Sequence, residues 1–441
     1  MSQLSPVATF LAGLQWLFFM FTNTVVIPLS VGTALQLPLA ETTASVQRSF
    51  IYTGIACLLQ AFLGHRYSLM EGQSGLWWGV ILSLCATASA SQMDLSVVGG
   101  SLSVGILLSG ILIALLGTMG IGKVLNKIFT PIVMSVFLLL LTSQLILIFF
   151  KGMVGFTSEG RINVPIACLS FLLVFIVSVL TVSGKGLVSN FSILIGIVVG
   201  WIAYSLWFPT ENLSTGSTST LLILFPWGGV THLAWGVVIM AILTGLINTT
   251  NTVATLRGAE NIYETKMSDA VYKRSFIVTG FNSMISGLFG LVPYAPYASS
   301  IGFIQTTRIV ERSAFVIGSF LFVILGSIPA LGSFFSTLPI SVGDAVLFVA
   351  YLQLFGSALR NIEGIRFNSK TIYRLAAPTL LGLAIMNLPA TAFVSIHMYL
   401  RPLLSNGLLL GILVAIVLEN VVNWSSYETS YTQEIQRKQV E

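Results

Sequence analysis

Glu71 stands beside Gly72, Gln73, Ser74 and Gly75 in a chain where only 8% of 441 residues are charged. A carboxylate in apolar surroundings is costly when ionised, which suits a group that binds and releases a proton. The neighbouring glycines let backbone approach a ligand closely. The bland alternative leaves Glu71 solvated in a loop. Most of the fifteen acids fall in loops or the C-terminal tail. Asp344 and Glu419 lie near the ends of apolar runs, within reach of water, so Glu71 is expected to sit deepest. A second polar set lies in Thr244–Thr255, where Asn248, Asn251, Thr252 and Thr255 recur at helical spacing. In an apolar span such residues either line a site or serve as hydrogen-bonded glue between helices. Gln15, Thr22 and Asn23 in the first apolar run carry the same two readings.

A third set follows two prolines. Pro293 and Pro296 forbid a regular helix in V-P-Y-A-P-Y and bias the preceding residues toward extended backbone. Ser299 and Ser300 then offer an N-cap for a short helix over 301–307, ending at Arg308. Tyr294, Tyr297, Trp77 and Trp78 could stack a planar ring, although aromatic residues also gather at membrane interfaces.

The elements that position these residues are membrane spans. With 55% hydrophobic residues, far fewer charges than a soluble domain carries, and one long apolar run after another, the chain reads as an all-α polytopic membrane protein. Fourteen segments are predicted, near 8–30, 47–64, 70–90, 99–118, 128–150, 164–183, 187–208, 232–256, 274–292, 294–307, 310–330, 340–359, 373–390 and 403–423. The first reads as an uncleaved span, being too long for a signal sequence and lacking a basic leader. The connections are too short for a soluble domain, and the tail from 424 to 441 reads as a cytoplasmic end.

Orientation follows from charge. With the N-terminus inside, sixteen of the 20 Lys and Arg residues fall in inside loops, and only Arg48, Lys151, Arg161 and Arg401 fall outside. The net charge of +5 is thus a topology signal, and no nucleic-acid partner is expected. Segments three and ten are both polar and broken, and each is the third element of a seven-segment half. The halves are 1–208 and 232–423, separated by an outside linker at 209–231. Seven is odd, so the second half is inverted. Matched broken segments in inverted halves are how transporters build a midplane site.

Other chemistries find little support. Gly117–Lys123 nearly matches a phosphate loop, but Val124 replaces the metal-binding hydroxyl and no strand precedes it. Cys57, Cys85 and Cys168 read as packing residues. There is no Ser-His-Asp set, and no metal or cofactor site, because His65, His232 and His397 are scattered. An enzyme is not expected.

Several stretches resemble one family. Gly13–Leu29 (G-L-Q-W-L-F-F-M-F-T-N-T-V-V-I-P-L), the S-G-L-F-G from Ser286, the S-I-G-F-I-Q-T-T-R from Ser300 and the T-L-P-I-S-V-G-D-A-V-L-F from Thr337 are similar to nucleobase–ascorbate transporters. The resemblance implies a core domain from segments 1–4 (within 8–118) and 8–11 (within 232–330). It implies a gate domain from segments 5–7 (within 128–208) and 12–14 (within 340–423). It also implies a proton- or sodium-coupled carrier of uracil, xanthine, uric acid or a related base. A symporter of a purine such as xanthine, hypoxanthine or uric acid is expected, in the plasma membrane with both termini cytoplasmic, with a homodimer as the expected oligomer. The expected substrate site is Gln15, Glu71, Gln73, Ser74, Gly75, Asn248, Asn251, Tyr297, Ser299 and Ser300, with Glu71 also the proton-coupling candidate. The partners are then a small-molecule base and the lipid bilayer. Three positions depart from the family pattern. Asn248 stands where members usually carry Glu, Ser299 where they carry Glu or Gln, and Gly75 where an aromatic often follows. An anion transporter or channel of the same fold is the alternative, and a non-transporting receptor or scaffold a weaker third.

Overall fold

The structure is a computed structural model that describes residues 5–90, 92–120, 127–156, 160–184, 187–208, 221–393, 395–397, 399–422 and 424. The tail beyond 424, most of the 209–231 linker, and Lys123, Lys185, Arg437 and Lys438 lie outside the described residues. The described chain is helical apart from one pair of three-residue strands. In order the elements are α1 (Pro6–Thr24), α2 (Val26–Ala34), α3 (Leu39–Phe62), β1 (Glu71–Gln73), α4 (Gly75–Ala90) and α5 (Leu95–Thr118). Then follow α6 (Pro131–Val154), α7 (Val164–Ser183), α8 (Leu187–Asn190), α9 (Ser192–Trp207), α10 (Trp235–Tyr263) and α11 (Asp269–Phe289). The chain continues through β2 (Tyr294–Pro296), α12 (Ser299–Thr307), α13 (Arg312–Ser327), α14 (Pro329–Ser336) and α15 (Ile340–Arg360) to α16 (Ser369–Met386), α17 (Arg401–Leu404) and α18 (Gly407–Val421).

Apolar runs become helices because a helix satisfies its own backbone where water cannot. Among the described residues six helical stretches are long and apolar enough to cross a membrane: Pro6–Ala34, Leu95–Thr118, Pro131–Val154, Val164–Ser183, Trp235–Glu260 and Ile340–Arg360. The pair α13–α14, bent by 85°, adds a seventh if counted as one span. Prolines account for the breaks. Pro28 has no N–H for the carbonyl four residues back, and the first run divides at Val25. Pro329 holds Ile328 extended, at φ −94° and ψ 106°, which turns α14 away from α13.

The helices pack mainly in two sets. In one, α3 and α1 lie against α13, while α5 lies against α10 and α11. In the other, α6 packs on α15 and α18, and α7 on α15 and α9. The strands belong to the first set.

Three acids or bases sit differently from expectation. The helix of the second predicted segment, α3, begins at Leu39 rather than 47, so Arg48 lies inside it, buried and paired with Glu41, and not in an outside loop. Glu419 is not solvated: it accepts from Arg374 at 2.6 and 2.7 Å and from the Thr130 hydroxyl at 3.1 Å, tying α16 and α18 to the start of α6. Asp344 is buried as well, so Glu71 is not alone in depth.

Candidate functional site

The strands β1 and β2 pair antiparallel, Glu71 opposite Pro296, Gly72 opposite Ala295 and Gln73 opposite Tyr294. The pairing extends at both ends, with Ser74 N–H donating to the Pro293 carbonyl (2.8 Å) and Tyr297 N–H to the Met70 carbonyl (2.8 Å). Each strand runs into a half-helix, α4 after β1 and α12 after β2. The first-turn N–H groups of such helices have no carbonyl partner within the helix and carry a partial positive charge.

Alternation along the strands divides the candidate residues between two faces. The front meets Tyr297: a Cβ built on Gly72 would lie 2.7 Å from the Tyr297 ring and 2.8 Å from the Met70 methyl. The Tyr297 hydroxyl donates to the Gln73 carbonyl and lies 3.4 Å from the Asn23 carbonyl. From α10, Asn248 Nδ2 donates to the Tyr294 carbonyl (3.1 Å), and its Oδ1 accepts from the Ser74 hydroxyl (2.6 Å) and from Asn251 Nδ2 (2.9 Å). The Thr255 hydroxyl donates to the Pro296 carbonyl (3.0 Å). Asn248 thus works as a tie among α10, β2 and the start of α4. Asn251, half-buried beside it, also lies with its Nδ2 3.4 Å from the Ser74 hydroxyl. The second helix set closes this face: a Cβ on Gly75 would meet the Tyr351 hydroxyl at 3.4 Å and Leu145 at 3.5 Å, and Gln144 donates to the Gly79 carbonyl (2.8 Å).

The back face is polar too. Gln73 Nε2 donates to the Ser49 hydroxyl (3.0 Å), the Thr53 hydroxyl to the Tyr294 hydroxyl (3.3 Å), and the Cys57 thiol both donates to the Glu71 carbonyl and accepts from its N–H, each at 3.3 Å. Ser49, Thr53 and Cys57 recur every four residues along α3, with Gln60 completing the stripe. The Glu71 carboxylate, 0% exposed, accepts from the Thr279 hydroxyl on α11 at 2.9 Å.

The structure therefore brings Ser74, Gly75, Asn248, Asn251 and Tyr297 to the front and turns the side chains of Glu71 and Gln73 to the back. Gln15 is half-buried on α1 and takes no part in either network. Ser299 is exposed at the first residue of α12. The expected serine cap is absent. Ala298 precedes the helix with no side-chain cap, and the Ser300 hydroxyl instead accepts from Met70 N–H at 3.0 Å. That bond lets α12 hold the chain entering β1, which a cap on its own helix could not do. Ser300→Ala is accordingly expected to destabilise the fold by about 1 kcal/mol by orphaning a buried N–H, read as a lower thermal unfolding midpoint of the purified protein.

Of the aromatic residues, Trp77, Trp78 and Tyr294 are fully packed, and Trp78 donates to the Ser30 hydroxyl at 2.7 Å. Of these four predicted rings, Tyr297 keeps partial exposure at the site. Gln60, Thr279, Asn282 and Tyr351 are missing from the sequence-based set, although Asn282 and Gln60 meet the criterion that singled out Asn248, a carboxamide within an apolar span. Tyr351, in the distant α15, shows no such signal. Elsewhere, a cavity of about 520 Å³ lined by Leu17, Phe21, Trp201, Ile202 and Phe335 is almost wholly apolar. It suits hydrocarbon and not a polar ring, so the chemistry belongs to the strand pair.

Comparison with known proteins bears on the family and the fold. The family model Xan_ur_permease, described as a permease family, matches residues 7–391. The chain is 29% identical over 426 residues to "Putative purine permease YwdJ" of Bacillus subtilis (strain 168), spanning 94% of this chain and 96% of that protein. It is 24% identical over 436 residues to "Xanthine permease" of the same organism, spanning 96% and 95%. Among solved structures, the transmembrane domain of the cyanobacterial bicarbonate transporter BicA superposes with a TM-score of 0.58 at 13% identity, covering 95% of this chain and 98% of that one. At that identity the likeness concerns the fold alone.

Proposed function

This chain belongs to the permease family Xan_ur_permease, a multi-pass membrane transporter rather than an enzyme, and on that premise we propose that it is a secondary active symporter of a purine base. The single observation that carries the reading is the front of the strand pair. Donors and acceptors from α4, α10 and β2 converge there beside Tyr297, at the N-terminal end of a half-helix. A purine offers what this face takes: a flat ring for Tyr297, N–H groups for the Asn251 amide oxygen, and electron-rich oxygens for the half-helix N–H groups. The purine and xanthine permeases that share the chain's length support this substrate class. In the proposed topology fourteen segments form two inverted halves, both termini are cytoplasmic, and the protein resides in the plasma membrane. The helix set carrying the strands moves as a core against the second set as gate. Tyr351 and Leu145, facing Gly75, form the gate wall.

Coupling to a cation fits a buried carboxylate without a cationic partner. Glu71 faces away from the base-binding side, so its role in this reading is coupling rather than substrate contact. Anion transport is the competing reading, since half-helix N-termini also favour anions. Uptake of radiolabelled xanthine into proteoliposomes, competed by a panel of bases and inorganic anions at two pH values, separates the two. Competition by purines alone is expected. Competition by bicarbonate, chloride or sulfate with none by any base would overturn the proposal.

A further inference from the structure

Behind the strand pair, Glu71 lies in a closed polar pocket formed by α3, α11 and β1. Gln60 Nε2 donates to Thr279 Oγ1 at 3.0 Å. The Thr279 hydroxyl proton is thereby directed to Glu71 Oε1, at 2.9 Å. One turn further on α11, Asn282 lies beside the carboxylate, 1% exposed. Glu71 Oε2 and both polar atoms of the Asn282 amide have no hydrogen-bond partner among the described residues. The titratable groups facing Glu71 are Cys57 from α3 and Tyr294 from β2, both engaged in hydrogen bonds. From α11 it meets the neutral Thr279 and Asn282, and no Lys, Arg or His of a packed element acts on it. A carboxylate so placed has no cation to neutralise it, and its second oxygen has a free position.

We propose that this pocket, formed by Glu71, Thr279, Asn282 and Gln60, is the proton site of the transporter, separate from the base site and joined to it through strand β1. The inference rests on the symporter reading and adds the place of coupling. The proton binds at Glu71 Oε2. Asn282 matches either state of the carboxyl: its Oδ1 accepts from the acid, and after the amide turns over its Nδ2 donates to the carboxylate. Asn282 is thus a positioning residue that keeps the pocket satisfied as the proton comes and goes. Communication is short. Glu71 and Gln73 share one strand, the Gln73 carbonyl holds Tyr297, and Ser74 holds Asn248. A change of charge at Glu71 therefore acts on the strand whose other face meets the base.

The test uses purified full-length protein in liposomes with radiolabelled xanthine. Glu71→Gln is expected to keep xanthine counterflow at equal pH within about threefold of wild type, while accumulation driven by an inward proton gradient falls at least about tenfold. Thr279→Val removes a donor to the charged form, so the pH midpoint of uptake is expected to move upward. Asn282→Leu is expected to displace that midpoint while leaving counterflow in place, which a merely structural role would not do. Accumulation by Glu71→Gln on a proton gradient, or wild-type accumulation on a sodium gradient alone, would overturn the proposal. A wild type that exchanges no base would instead overturn the symporter reading. The proton site still has its own readout in that case. Infrared pH-difference spectra without substrate are expected to contain a carboxyl band that Glu71→Gln lacks, and an identical band in both proteins contradicts the assignment.

Discussion

Asn248→Leu is expected to weaken purine binding by about 100-fold or more, while the protein still reaches the membrane. The leucine is nearly isosteric, so packing within α10 survives. What disappears is the tie. Two buried groups, the Ser74 hydroxyl and the Tyr294 carbonyl, lose the Asn248 amide at once, and the half-buried Asn251 amide is left with only its 3.4 Å contact to Ser74. Each such loss costs about 1–3 kcal/mol, and about 2.7 kcal/mol already corresponds to 100-fold in affinity. The loss falls on binding because Ser74 precedes the first-turn N–H groups of α4 and Asn251 is the half-buried amide beside it. Equilibrium binding of radiolabelled xanthine to purified protein reads it directly. Unchanged affinity in Asn248→Leu would mean that the base lies elsewhere.

The second large effect is steric. Gly72→Val should abolish uptake, at least tenfold below wild type, although no polar contact is removed. A Cβ there would stand 2.7 Å from the Tyr297 ring and 2.8 Å from the Met70 methyl. The methyl can swing aside. The ring is anchored through its hydroxyl to the Gln73 carbonyl, and it cannot move without releasing that bond. Overpacking of this kind costs about 1–3 kcal/mol, and it acts where the ring must meet a ligand. Gly72→Ala is expected to show a smaller fall in the same direction, and Gly302→Ala none of comparable size, because a Cβ on Gly302 meets nothing within 4 Å. Uptake rates normalised to protein in the membrane check the order; equal rates for Gly72→Val and wild type would remove Tyr297 from the site.

The broken segments are legible in the sequence because their causes are local. Pro293 and Pro296 exclude a helix whatever surrounds them, and the polar, glycine-rich run from Glu71 to Gly75 cannot continue an apolar span. The helical spacing of Asn248 and Asn251 likewise places them on adjoining turns before any partner is known. Partners are what the sequence conceals. Ser300 reads as a cap, yet its hydroxyl serves Met70, 230 positions away. Glu71 and Gln73 read as ligand-facing, yet the register of β1 on β2 turns them to the back, and register is set by pairing across the chain. Arg48 reads as an outside loop because its run turns apolar only at Phe50, whereas the helix starts at Leu39 and holds Arg48 inside it, paired with Glu41. The approach of Tyr351 to Gly75 depends on how two helix sets meet, which no local pattern encodes.

The most direct measurement is equilibrium binding of radiolabelled xanthine to the purified, full-length protein, with purines, pyrimidines, bicarbonate and sulfate as unlabelled competitors. Saturable binding displaced by purines and not by the anions, and lost in Asn248→Leu, is the result expected of a base held at the front of the β1–β2 pair. Binding displaced by bicarbonate or sulfate and by no base, or purine binding untouched in Asn248→Leu, would contradict it.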